Sequence, residues 1–201
     1  MDRPDSTRAQ RNRSRIAQTT ARLIAEHGLT DWNAAKRKAC RELGLPHREA
    51  LPDNEEVEQA LRDYNSLFQY AEQPARLRLQ RLEALRWMER LSQWNPVLTG
   101  AVAAGWATEH SEVRLELEAE DAKSVELSLL NAGVEYACAP APAGSTTQVQ
   151  LRIERPEATL RLVIVSPLER RNRRRRGRSG EADDRLGMAQ LKALLDTEGE
   201  A

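Results

Sequence analysis

A chain of 201 residues has the length for one substantial domain, or for a domain with a helical extension. Hydrophobic residues make up 40% and charged residues 31% of it, and 31 Lys and Arg balance 31 Asp and Glu. That balance excludes a surface that coats nucleic acid or membrane as a whole, so functional charge must lie in patches.

The N-terminal run MDRPDSTRAQRNRSR has no apolar core, so it does not read as a signal peptide. No apolar stretch approaches the roughly 18 residues needed to span a bilayer. The expectation is a cytoplasmic protein with no membrane partner. Cys40 and Cys138 are far apart and belong to no CxxC pair; they read as small, semi-buried apolar residues in a reducing compartment. With His27, His47 and His110 they make no zinc-ligand spacing.

The elements predicted in chain order begin with helices. Ile16, Thr20, Leu23, Ile24 and His27 recur at helical spacing over residues 8–27, and Gly28 is a natural stop. Thr30 or Asp31 can cap a second helix carrying Trp32, Ala35, Ala39 and Leu43, which ends at Gly44. Asp53 and Glu56 form a capping-box pattern ahead of a third, with Val57, Leu61, Tyr64, Leu67 and Phe68 on one face. Pro74 suits the first turn of a fourth, which carries Leu77, Leu82, Leu85, Trp87, Met88 and Leu91, with Trp94 beyond.

After Pro96 the pattern changes to strands. Residues 97–100 read as a short strand. Val113, Leu115 and Leu117 alternate strictly with Glu112, Arg114, Glu116 and Glu118, which gives one apolar and one charged, solvent-facing side. Residues 121–132 form an amphipathic helix (Val125, Leu127, Leu129, Leu130) stopped at Gly133, and 134–138 a strand. APAPAGST is a loop. Residues 148–154 and 159–165 form a hairpin closed by RPEA. The run ERRNRRRRGRSGEADD has no apolar anchor and reads as flexible, and 186–195 as a last helix. The expected fold is α+β: a helical N-terminal region (1–72), a mixed sheet with helices packed mainly on one face (73–167), an Arg-rich flexible segment (168–184) and a C-terminal helix and tail (185–201).

The residues Thr99-Gly100-Ala101, followed by Ser111-Glu112-Val113-Arg114-Leu115, resemble the motif of the nucleotidyltransferase superfamily, which includes the DNA polymerase beta type and the minimal nucleotidyltransferases. The resemblance spans about Arg86 to Pro167. The helical first half and this turn together also resemble a family of uncharacterised bacterial proteins. The superfamily motif is a glycine turn after a strand, then two carboxylates at i and i+2 on the next strand, with a third on a later one. Such enzymes hold two Mg²⁺ ions that stabilise the attacking and leaving oxygens, and Mg²⁺ takes hard oxygen ligands. The glycine turn brings backbone N–H groups to the triphosphate.

The resemblance places Glu112 at the first ligand position, Arg114 at the second and Arg161 at the third. An arginine offers no lone pair and does not deprotonate. Two like charges about 4 Å apart repel by roughly 1 kcal/mol in water and about 4 kcal/mol at an effective dielectric of 20. The implied protein is a degenerate member without a metal site, non-catalytic and needing no cofactor. It would bind nucleotide or another phosphate anion, or act in regulation, through Gly100, Ala101, Ser111, Arg114 and Arg161. If activity survives, it implies Mg²⁺ held by a shifted site on Glu112, Glu116 and Glu118.

Three further readings stand beside this one. Glu112–Arg161 and Arg114–Glu154 can be plain cross-strand ion pairs. The basic run Arg170, Arg171, Arg173, Arg174, Arg175, Arg176 and Arg178 can contact RNA or DNA through phosphate neutralisation, or stay solvated. The first two helices form a supporting hairpin or a helix-turn-helix. Trp32, Trp87, Trp94 and Trp106 read as packing anchors and His110 as a loop residue; no P-loop or hydrolase elbow occurs. The sequence does not set the oligomeric state.

Overall fold

A computed structural model describes residues 4–29, 31–46, 50–68, 73–139, 149–176 and 185–199, with the side chains of 4–7, 68 and 172–176 outside that description. Thr30, His47, the loop after Ala139 and residues 177–184 therefore lie outside it. The fold is α+β, and the chain divides into two compact units.

The first unit takes in Met1–Pro74 and Thr108–His110. Its helices are α1 (Pro4–His27), α2 (Trp32–Glu42) and α3 (Asn54–Phe68). The apolar stripe of α1 is buried: Ile16, Leu23 and Ile24 pack inward, and Ile16 and Leu23 meet Ala39 and Cys40 of α2. Thr20 is buried too, because its hydroxyl donates to the Ile16 carbonyl at 2.7 Å and leaves no orphan donor. Asp31 caps α2 by accepting from the Ala34 N–H at 3.0 Å.

The capping box of α3 forms in both directions. Glu56 N–H donates to Asp53 at 2.9 Å and Asp53 N–H to Glu56 at 2.8 Å. Leu67, expected on the apolar face of α3, is 73% exposed. Lys36 is buried and donates to Asn54 Oδ1 at 2.9 Å; burial pushes its pKa below the ordinary value, against the pull of Asp53 and Glu56.

The second unit takes in Ala75–Ala107 and Ser111–Ala201. After α4 (Gln73–Arg90) come β1 (Val97–Thr99), α5 (Ala101–Ala104), β2 (Val113–Glu118), α6 (Ala122–Asn131), β3 (Ala137–Ala139), β4 (Val149–Ile153), β5 (Leu160–Val165), α7 (Pro167–Arg176), β6 (Arg185–Gly187) and α8 (Met188–Gly199). The strands make one mixed sheet in the order β3-β4-β5-β2-β1-β6. β2 and β5 run parallel and every other pair is antiparallel.

One face of the sheet is apolar. Leu98, Val113, Leu115, Leu117, Leu151, Ile153, Leu160, Leu162 and Ile164 form a single core with α4 (Ala84, Trp87, Met88), α6 (Val125, Leu129) and α8 (Leu191, Leu195). The helices on this face close the core by hydrophobic burial, each large side chain contributing about 1.5–3 kcal/mol.

Four expectations need correction. The Arg-rich run is not flexible at its start, because Ser166 and Glu169 form a second capping box (Ser166 N–H to Glu169 at 3.2 Å, Glu169 N–H to Ser166 Oγ at 3.3 Å) and α7 follows. Arg185–Gly187 is a strand rather than the lead into the last helix, and it completes the sheet beside β1. Cys138 is exposed on the edge strand β3, whereas Cys40 is buried. On α6, Leu127 and Leu130 are each 59% exposed, so that helix buries a narrower stripe than its composition suggests.

Candidate functional site

The glycine turn forms where the sequence places it. Gly100 has φ 74° and ψ −156°, a region open in practice to glycine alone. A Cβ there would meet nothing within 4 Å, so the requirement for glycine is one of backbone conformation and not of crowding. The carbonyl of Gly100 accepts from Ala104 N–H at 2.9 Å, and the chain makes the single turn of α5, in which Ala101 is half-buried. Ser111 is half-buried on the return to β2, and its carbonyl accepts from the buried Gln80 side chain at 3.1 Å.

The face of the sheet opposite the apolar core carries the charged residues, and the register aligns them. Thr99 of β1 pairs with Arg114 of β2 on one side and with Arg185 of β6 on the other. Arg114 pairs with Arg161 of β5, and Arg161 with Arg152 of β4. Paired residues point to the same face, so Arg185, Thr99, Arg114, Arg161 and Arg152 form one row across five strands. Gly100 follows directly on the residue that faces Arg114. The sequence reading found Arg114 and Arg161 and missed Arg152 and Arg185. Arg152 carries the same signal as Arg161, a charge alternating with buried leucine and isoleucine. Arg185 stands in a strand too short for periodicity to reveal.

Glutamates flank this row on both sides. Glu112 accepts from Arg152 Nε at 3.0 Å through one oxygen and from Arg161 Nε through the other. Arg161 also donates to the buried Gln150 Oε1 at 3.0 Å. Glu116, expected to face solvent, is 3% exposed. It accepts from Arg185 through both guanidinium Nη atoms, at 2.6 and 3.2 Å. Arg170 of α7 is buried beside it, at 4.0 Å from Glu116 and 3.2 Å from Glu118. α7 thus covers the end of β2 that carries Glu116 and Glu118, while Arg114, Arg161 and Arg152 at the other end are only half-buried.

The ion pair Glu112–Arg161 forms as the cross-strand reading has it. Arg114–Glu154 is replaced by Arg152–Glu154 at 2.9 Å, because β4 and not β2 adjoins Glu154.

This donor set does not fit Mg²⁺. Both oxygens of Glu112 and both of Glu116 already accept from guanidinium groups, and Arg114 and Arg161 on the same face are themselves cationic. Among the described residues, no group of three or more His, Cys, Asp and Glu side chains is placed to hold a metal ion. Among the described side chains of this face, Arg114, Arg152, Arg161, Arg170 and Arg185 stand against Glu112, Glu116, Glu118 and Glu154, a formal excess of one positive charge.

Of the basic run, Arg170 turns inward and Arg171 is exposed; Arg173, Arg174, Arg175 and Arg176 have helical backbone. Trp87, Trp94 and Trp106 are buried packing residues, and His110 is an exposed loop residue beside Glu109. No described helix is long and apolar enough to cross a membrane. No protein-family model and no curated protein matches the chain.

Proposed function

We propose that this is a nucleotidyltransferase-like protein that has exchanged its metal site for an arginine row and binds nucleotide or another phosphate anion without catalysing transfer. The observation that carries the reading is the register Arg114–Arg161–Arg152 at the half-buried end of the polar face, next to the turn at Gly100. Guanidinium forks recognise phosphate oxygens bidentately and need no metal to do so. Gly100, Ala101 and Ser111 supply the backbone around the turn in this reading. In this reading the protein acts in the cytoplasm by binding without turnover, in a regulatory role.

Calorimetry with a nucleoside triphosphate, with and without EDTA, tests the proposal. Binding in both conditions, lost in Arg114→Ala, is the expected result; no binding in either condition overturns it. A transfer assay with labelled triphosphate and Mg²⁺ or Mn²⁺ addresses the active alternative. A shifted site on Glu112, Glu116 and Glu118 would first have to break the arginine pairs on all three.

A second reading, an RNA- or DNA-binding accessory protein, is favoured by one observation: the Arg-rich run enters a capped helix, α7, with Arg171 exposed on it. Backbone neutralisation would make such binding strongly salt-dependent. Deleting residues 172–178 abolishes salt-sensitive RNA binding if this reading holds, and leaves triphosphate binding at the sheet unchanged.

A further inference from the structure

On the opposite side of the sheet from the arginine row, a cavity of about 220 Å³ lies between α4 and the turn that joins β4 to β5, lined by Glu83, Arg86, Trp87, Arg90, Arg155 and Glu157. Its floor is built. Trp87 is 4% exposed, and its indole N–H donates to the buried Glu83 carboxylate at 2.9 Å. The second oxygen of Glu83 accepts from Arg86 at 3.3 Å, so this carboxylate is committed to two donors on its own helix. The Arg90 guanidinium lies over the Trp87 ring at 5.1 Å from its centre and also donates to the Ala132 carbonyl at 3.4 Å.

Arg155 stands across the cavity on the short hairpin turn. Its side chain makes no hydrogen bond or ion pair among the described residues, and neither does that of Glu157. Three guanidinium groups and two carboxylates thus line one small space, and with Arg86 paired to Glu83 the formal excess is one positive charge carried by Arg90 and Arg155 against Glu157. An anion entering between Arg90 and Arg155 meets two cations and lowers their mutual repulsion. The volume is below the roughly 300–1,000 Å³ of sites for drug-sized ligands, which limits the occupant to a small group.

We infer that this cavity is a second anion site, for a tetrahedral phosphate group held between Arg90 and Arg155, with Arg86 at its edge. The group can come as inorganic phosphate or as the terminal phosphate of a small monoester. Trp87 holds Arg90 in place; it is a positioning residue and does not touch the ligand. Glu157 is the rim carboxylate whose negative charge opposes an arriving phosphate.

The test is calorimetric titration of the full chain with inorganic phosphate and, separately, with adenosine monophosphate, at low ionic strength. Arg155→Ala alters an exposed turn residue with no partner and leaves the fold intact by circular dichroism; it is expected to weaken binding about tenfold, the scale of one charge-assisted hydrogen bond. Glu157→Gln is expected to tighten binding at this cavity, and Arg114→Ala, which removes the sheet-face site of the proposed function, to leave a residual binding event that Arg155→Ala weakens in turn. Tighter binding of phosphate than of the monophosphate identifies the free ion, and the reverse order identifies the ester. The inference is overturned if neither probe binds, if Arg155→Ala binds as the parent does, or if Arg114→Ala alone abolishes binding, which would assign the anion to the sheet face instead.

Discussion

Arg114 and Arg161 stand directly opposite each other across the parallel pair β2–β5. Arg161 is anchored to Glu112 and Gln150, so one member of the pair is held in place from the side of β4. Changing Arg161→Ala removes one of two arginines from Glu112 but leaves Arg152 at 3.0 Å. The pair is partly exposed, so the expected loss of stability is small, about 0.2–1 kcal/mol in a urea titration. Triphosphate affinity should fall well beyond what that loss explains.

Glu116 tells a different energetic story because it is buried. Its carboxylate depends on Arg185 and, at longer range, on Arg170. Removing a partner from a buried pair leaves an uncompensated charge, at a cost of about 3–5 kcal/mol. Arg185→Ala should therefore lower the urea midpoint far more than Arg161→Ala does. The double variant Arg185→Leu, Glu116→Leu should recover much of that stability. If the double variant is as unstable as the single, the carboxylate is not what suffers.

Two glycines with positive φ should respond differently to alanine. At Gly100 the cost is backbone strain alone, about 1–3 kcal/mol, since a Cβ meets no neighbour. At Gly28, with φ 63°, a Cβ would lie 2.8 Å from the His110 ring. Because the His110 Cβ is also within 2.9 Å, Gly28→Ala should be partly rescued by His110→Gly, which removes that atom as well as the ring, and Gly100→Ala should not. Unfolding of the four variants, analysed as a double-mutant cycle, measures the difference.

Burial depresses the pKa of Lys36, and the sign of its effect on stability follows. The unfolded chain holds this proton up to the ordinary value of 10.5, while the folded chain releases it earlier. Between those two points the unfolded state binds more protons, so stability rises with pH across that window. Below it, charged Lys36 is a constant penalty. Lys36→Met should remove the rise, which is read as the difference between parent and variant unfolding free energies at successive pH values.

The capping box of α3 is tied to α1, because Arg13 donates to Glu56 at 2.6 and 2.7 Å and to Asp53 at 3.1 Å. Asp53→Ala should cost about 1 kcal/mol for the cap. Glu56→Gln keeps a capping acceptor but loses the charge that attracts Arg13, and should cost less. Thermal unfolding of the two variants orders them, and the opposite order would mean that the ion pair outweighs the cap.

The sequence by itself determined what depends on neighbours along the chain. Caps at Asp31 and Asp53, the turn at Gly100, the alternation of β2 and the hairpin of β4 and β5 are all local, and each was legible from residue type and spacing. Period two told which residues of β2 share a face, but not which strand lies beside it. The tertiary structure alone decided that Arg152 and Arg185 join Arg114 and Arg161 in one row, because strand order and register are set by contacts between distant segments. It also decided the burial of Glu116. A glutamate in an alternating strand reads as solvent-facing until a helix such as α7, itself disguised as a flexible basic run, brings Arg170 down over it. A buried carboxylate can exist only where a partner arrives to compensate it, and that partner lies more than fifty residues away in the chain.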